Sequence, residues 1–285
     1  MTISHSEIRD EVFGRDSGEI LRGLTGRGGL RPVLRLTAIA AWTAGLLVVL
    51  LLGMWAATPW PRSRLGWRNR IVKRWARGMA WIVNMRMDVV GSAPPAPFFL
   101  VVNHLSYVDI VLLLANVDGV FVAKRELNQW PVVGYLTRLV GTIFLNRNNR
   151  RDARRVLQVI DQRIREGDGV VVFPEGTSGN GAEVYPMKTA MFEWAAERQY
   201  PVQVAAIHYT TADGQPPARD VICWWGTMSF VPHVLRLCRL PGFTANLRFP
   251  AEPVRAADRT TLADLARATI AGHFVPHTAP TEGTT

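Results

Sequence analysis

Two kinds of hydrophobic patterning divide the chain. Residues 36–61 contain no charged side chain, and within them residues 37–57 form a largely apolar stretch of 21 residues. As a helix this stretch is roughly 31 Å long, enough to cross the hydrocarbon core of a bilayer. It begins too far from Met1, and is too long, for an ordinary cleaved signal peptide. Pro59 and Pro61 end it. From about Pro94 onward, short apolar runs alternate with amphipathic ones. Strands are expected at 97–102, 119–123, 142–145, 169–173, 202–208, 221–224 and 244–249. The clearest helix covers 152–165, with Ala153, Val156, Leu157, Ile160 and Ile164 on one face, and 258–274 reads as a terminal helix. The alternation predicts an α/β fold with a mainly parallel sheet flanked by helices.

Charge changes this picture between the two regions. Residues 62–77, "RSRLGWRNRIVKRWAR", carry seven basic side chains and no acidic one. On a helical projection Trp67, Ile71, Trp75, Met79 and Ile82 share one face, with Arg70, Lys73, Arg74 and Arg77 on the other and Arg68 as the exception. A basic amphipathic helix beside an apolar one suggests a segment lying on anionic membrane lipids. Five arginines within residues 15–35 reduce the charge asymmetry across the apolar stretch. The positive-inside comparison therefore favours a cytoplasmic C-terminal side only modestly. A single span and a re-entrant hairpin of the two segments both fit. The expected organisation is a poorly ordered segment at 1–32, a transmembrane or re-entrant helix at 33–61, and an interfacial helix at 62–93. An α/β domain at 94–274 and a loose tail at 275–285 complete it.

Lys and Arg exceed Asp and Glu by 33 to 23, a net charge of +10, which predicts an anionic partner. A hydrophobic content of 48% with ten tryptophans excludes a disordered basic protein. The neighbouring apolar stretch makes lipid phosphate, rather than nucleic acid, the expected partner. Cys223 and Cys238 are the only cysteines. They allow at most one disulfide and no four-ligand metal cluster of their own, and read as reduced thiols of a cytosolic domain.

The stretch "VVNHLSYVDI", residues 101–110, holds the strongest chemical signal. On one continuous helix His104 and Asp109 would point ~140° apart. They meet only if the chain changes structure between them. The apolar run 97–102 reads as a buried strand, and Ser106 as an N-cap with Asp109 three residues later in a capping-box pattern. His104 then sits in the turn leaving the strand and Asp109 in the first helical turn. A neutral imidazole there can take a proton from an alcohol, with the carboxylate fixing its tautomer and stabilising the imidazolium. This is the base-and-orienter half of a catalytic triad.

Three further loops end or follow expected strands, where ligands gather in open α/β sheets. They are "AKRELNQWPVVG", "GTIFLNRNNR" and "VVFPEGTSGNG", the last followed by "VYPMKTAMF". Taken in order, the four blocks resemble the glycerolipid acyltransferase family, which includes the 1-acyl-glycerol-3-phosphate acyltransferases. The family's H-x4-D block matches at His104 and Asp109, its K-x-E-L loop at Lys124, Glu126 and Leu127, and its strand-end arginine at Arg147. Its F-P-E-G block matches at Phe173, Pro174, Glu175 and Gly176, and its later proline block at Pro186. The likeness covers residues 95–210, with a weaker match in "CWWGTMSFVPHVLRL".

The resemblance implies transfer of a fatty acyl group from acyl-CoA or acyl carrier protein to the free hydroxyl of a lysolipid. It implies no metal and no resident cofactor. It places His104 and Asp109 in catalysis, and Arg147, Glu175, Gly176, Lys124 and Pro186 around the acceptor, Lys188 adding positive charge. Arg147 offers a planar fork suited to phosphate, and Glu175 a carboxylate for the acceptor's polyol. Lysophosphatidate is the first expected acceptor. One departure bears on that choice: many lysophosphatidate enzymes follow F-P-E-G-T with arginine, whereas Thr177 precedes Ser178. An amino-acid-based acceptor such as lyso-ornithine lipid is the alternative.

Two other classes fit less of the chain. A lipid hydrolase would also use a histidine, but the G-x-S-x-G pattern fails by one place at Asn180, and no H-E-x-x-H motif is present. A non-enzymatic membrane adaptor explains the first third and leaves the four ordered blocks without a reason.

Overall fold

The computed structural model describes residues 5–13, 30–57, 59–146 and 149–277. After helix α1 (His5–Phe13) come α2 (Arg31–Ala56) and α3 (Pro61–Ile82). The domain continues through β1 (Met85–Val90), β2 (Phe99–Val102), α4 (Val108–Asn116), β3 (Gly119–Lys124), α5 (Val133–Leu139), β4 (Ile143–Leu145) and α6 (Arg150–Arg165). Then follow β5 (Gly169–Val172), α7 (Glu193–Glu197), β6 (Val202–Thr210), α8 (Ala218–Val221), α9 (Phe230–Arg239), β7 (Phe243–Arg248) and α10 (Arg259–His273).

The seven strands form one sheet in the order β1-β7-β6-β2-β5-β3-β4. Only the β6–β7 pairing is antiparallel. The middle strands β2, "FLVV", and β5, "GVVV", are buried at every residue, as strands covered by helices on both faces must be. Strands β6, β2, β5, β3 and β4 run in one direction. Their C-terminal ends therefore share one edge, and the loops carrying the sequence blocks leave from that edge. The mainly parallel α/β fold is as expected.

Three sequence expectations need correction. Residues 221–224 are not a strand: α8 ends at Val221 and the chain leaves it as a loop. The interfacial segment 62–93 is not helical throughout, because α3 stops at Ile82 and Met85–Val90 pairs with β7 in full register. The sheet therefore begins nine residues before the expected domain boundary. Third, the basic helix is not free to lie on lipid with its apolar face.

That third correction follows from the contacts of α3. It runs antiparallel to α2 as a hairpin: Trp67 Nε1 donates to Leu50 O at 3.3 Å, Trp42 Nε1 to Trp75 O at 3.2 Å, and Trp75 Nε1 to Thr43 Oγ1 at 3.0 Å. Gly53 lets the Trp67 indole lie against α2, since a Cβ there would come within 2.0 Å of the ring. Its other side enters the domain core through Val72, Ala76 and Ala80. Arg68 forms a buried ion pair with Asp168 at 2.6 Å, Lys73 pairs with Asp118 at 2.8 Å, and Arg77 donates to Ala115 O. At the other end of the hairpin, Arg35 donates to Cys238 O and Leu240 O. These carbonyls lie at the C-terminus of α9, where a cation complements the helix dipole. Along α2, Val48, Val49, Leu51, Leu52 and Trp55 remain exposed, and its most apolar window is almost wholly uncovered by the rest of the chain.

Candidate active site

His104 leaves β2 in a turn and Asp109 is the second residue of α4, so the strand–turn–helix change brings the two together. Nδ1 of His104 lies 2.7 Å from Asp109 Oδ2. The same oxygen accepts the backbone N–H groups of Leu105 at 2.7 Å and Ser106 at 3.0 Å, which closes the turn. Ser106 Oγ accepts from Val108 N at 3.3 Å. The helix starts one residue later than expected, with Tyr107 rather than Ser106 in the N-cap position. Asp109 is fully buried, and its second oxygen, Oδ1, accepts the hydroxyl of Tyr209 at 2.5 Å. The His104 ring stacks on Phe173 at 4.2 Å between centroids, and its side chain is 23% exposed. With Nδ1 held by the carboxylate, Nε2 is the nitrogen left to meet a ligand.

The F-P-E-G turn lies directly beside this pair, because β5 neighbours β2. Glu175 is buried, with Oε1 accepting His104 N–H at 3.0 Å and Oε2 accepting Tyr185 N–H at 3.3 Å. The expected polyol-holding carboxylate therefore braces the backbone of the histidine turn. Burial pushes its carboxyl up to about 8, against the downward pull of the two N–H groups. Gly176 has φ +76°, and a Cβ there would come within 2.8 Å of Lys188 Nζ. Glycine thus permits both the turn and the close approach of that cation. Lys188 N–H donates to Pro174 O at 2.9 Å. The loop bearing Pro186, itself exposed, is thereby folded back onto the same turn.

The remaining expected residues are less convergent. Lys124 ends β3 and its Nζ is paired with Glu11 Oε1 of α1 at 2.6 Å. Arg147 lies outside the described residues. Beside the ends of β3 and β4, a cavity of about 270 Å³ is lined by Arg125, Asn128, Phe144, Asp152 and Arg155, none of them anticipated as ligand groups. Ser178 donates its hydroxyl to Trp224 O, and Trp224 N–H donates to Leu105 O at 2.8 Å. The 221–228 loop is thus clamped to both the histidine turn and the F-P-E-G loop.

Two further contacts were illegible in sequence because they join segments at least one hundred positions apart in the chain. Tyr209 is one hundred residues from Asp109. Tyr107, inside the H-x4-D block, bonds His233 Nδ1 at 2.9 Å, while His233 Nε2 meets Cys223 O at 3.0 Å. Burial pushes His233 down to about 4. It is therefore neutral, donating from Nε2 and accepting at Nδ1, and it anchors the turn.

The sequence profile of the family described as Acyltransferase matches residues 86–208. The 1-acyl-sn-glycerol-3-phosphate acyltransferase of Neisseria meningitidis serogroup B is 32% identical over 179 residues, 60% of this chain and 70% of that protein. The chain belongs to the acyltransferase family. A lyso-ornithine lipid O-acyltransferase of Rhizobium meliloti is 34% identical over 193 residues, 64% of this chain. The chain spans 66% of that relative's length. The crystal structure of the 1-acyl-sn-glycerophosphate acyltransferase PlsC from Thermotoga maritima shares the fold, with a TM-score of 0.60 at 20% identity. That match covers 92% of this chain and 100% of that one.

The stretch matched by the family profile runs from inside β1 to His208 in β6. It contains His104, Asp109, Lys124, Arg147, Glu175, Gly176, Pro186 and Lys188, and it stops one residue short of Tyr209.

Proposed function

We propose that His104 is the general base that moves a fatty acyl group from an acyl thioester onto the free hydroxyl of a lysolipid. The 2.7 Å contact between His104 Nδ1 and Asp109 Oδ2 carries this reading, because it fixes the ring with Nε2 available to the acceptor. Nε2 takes the hydroxyl proton as the acceptor oxygen attacks the thioester carbonyl carbon. The C–S bond then breaks, and the imidazolium returns the proton to the leaving thiolate of acyl-CoA or acyl carrier protein. The buried Asp109 carboxylate stabilises the imidazolium between these steps.

For the acceptor, lyso-ornithine lipid stands first and lysophosphatidate second. At position 178 a short hydroxyl tied to Trp224 O replaces the arginine that many lysophosphatidate enzymes place there. The site thereby lacks one fixed bidentate phosphate donor. A headgroup pairing a carboxylate with its own ammonium needs less cationic charge than a phosphate does. The Rhizobium relative's substrate agrees with this order, while Arg147 and the Neisseria relative favour the second acceptor.

The hairpin supports attachment to one membrane face, with the domain on the cytoplasmic side where acyl thioesters are made. Were α2 to span, α3 beside it would carry Arg64, Arg70 and Arg74 into hydrocarbon at high cost. Incubation of purified protein with a labelled acyl thioester and separate lysolipids tests the whole reading. Ester formed on lyso-ornithine lipid in preference to lysophosphatidate is the expected result. Release of free fatty acid without ester would make the protein a hydrolase instead.

A further inference from the structure

We propose that Tyr209 is a positioning residue for acyl transfer, its phenol setting the orientation and charge of Asp109 and, through it, the proton affinity of His104. The proposal rests on the reading of His104 as base and adds a residue outside the four sequence blocks.

Asp109 reaches His104 through one oxygen only. Oδ2 receives the imidazole and two backbone N–H groups, so three donors converge on it. Oδ1 is met by Tyr209 alone among the described residues, through a 2.5 Å hydrogen bond between fully buried side chains. An O–H···O⁻ bond of this length is charge-assisted and among the stronger ones proteins make. Without it, one end of a carboxylate sealed from water would have no partner.

The fold delivers the phenol with little freedom. Asn103, next to His104, donates from Nδ2 to Ile207 O at 2.9 Å and accepts Ile207 N–H at Oδ1 at 2.7 Å. This clamp fixes β6 against the end of β2. Tyr209, two residues further along the strand, projects from the same face as Ile207. Phe243 of β7 meets its ring edge-on at 6.1 Å. Burial, followed by the neighbouring Asp109 charge, pushes the phenol well above its ordinary titration range. It therefore stays a donor throughout the working pH range.

The phenol shares the carboxylate's negative charge, and so moderates how strongly Asp109 stabilises the imidazolium. Removing the O–H concentrates that charge on the carboxylate. The base then holds its proton more tightly, and the acid limb of the pH profile moves to higher pH. A more acidic phenol has the opposite effect. A tyrosine that merely fills space produces neither.

The test compares Tyr209→Phe with a protein carrying 3-fluorotyrosine at position 209, using the full-length chain in lipid vesicles with acyl thioester and lysolipid. For Tyr209→Phe we expect kcat to fall roughly tenfold, the scale of one lost hydrogen bond, with acceptor KM unchanged. Its acid limb of kcat/KM moves up, and that of the fluorinated protein moves down. A kcat and pH profile matching wild type in Tyr209→Phe overturns the positioning role. If Tyr209→Phe does not fold, an unmoved acid limb in the fluorinated protein overturns it equally. His104→Ala, assayed in parallel, separates the two readings: activity in that variant would instead overturn the base on which this inference rests.

Discussion

Glu175→Gln should turn a pH-dependent weakness of the fold into a pH-independent one. In the folded protein the Glu175 carboxyl is pushed up to about 8 from an ordinary value of 4.5, chiefly by burial. A carboxyl with a raised folded pKa contributes stability that is fully present below the unfolded value. That contribution is lost as pH rises through the folded one. The interval from 4.5 to about 8 corresponds to at most ~5 kcal/mol. Glutamine removes this dependence, since it carries no charge at any of these pH values. Its oxygen can still accept the His104 N–H, but its NH₂ then faces the Tyr185 N–H, two donors in a buried place. That mismatch should destabilise the variant by ~1–3 kcal/mol. The two stability curves must therefore cross, wild type being the more stable at pH 5 and Glu175→Gln at pH 9. Urea unfolding in detergent micelles, followed by tryptophan fluorescence across this range, measures both. Parallel curves would refute the buried, raised carboxyl as the source of the effect.

Asp109→Asn should cut turnover by ~10²-fold or more, and a folded variant retaining most of its rate would reduce Asp109 to a brace for the start of α4. Arg68→Ala leaves Asp168 buried without its 2.6 Å partner and should destabilise the protein by ~3–5 kcal/mol. An unchanged urea midpoint would show that the hairpin does not depend on this ion pair. Arg147→Ala should raise the acceptor KM far more than the donor KM, and Arg147→Lys should restore only part of the loss. Equal effects on both substrates would remove Arg147 from acceptor binding.

Most of the sheet was legible because its central strands are continuous apolar runs too short for helices, bounded by Gly, Pro and Asn. The His104–Asp109 pair was legible for a related reason: five residues bring two side chains together only across a strand-to-helix change. The errors have physical causes too. Met85–Val90 directly follows α3 and is exposed at Arg86, Val89 and Val90, so its pattern gave no break from the helix before it. The run 221–224 is as apolar as a strand, but periodicity cannot distinguish a short buried loop from one. Its burial comes from Cys223 in the core and the Trp224–Leu105 bond. The charges of α3 were plain, but their partners were not. Asp168 lies one hundred residues from Arg68, and pairing at that range is set by the fold. Tyr209 was invisible on the same ground, and Glu175 was identified as a site residue without its bond to the His104 backbone.

The proposed transfer turns on His104 drawing the proton from the acceptor hydroxyl. Its most direct test is the rate of labelled ester formation by wild type and His104→Ala at saturating acyl thioester and lysolipid. Both proteins must first show matched unfolding midpoints and matched vesicle binding. Loss of ~10²–10⁴-fold in kcat from a folded, membrane-bound His104→Ala protein is the predicted result. Wild-type turnover by that protein would rule out His104 as the base.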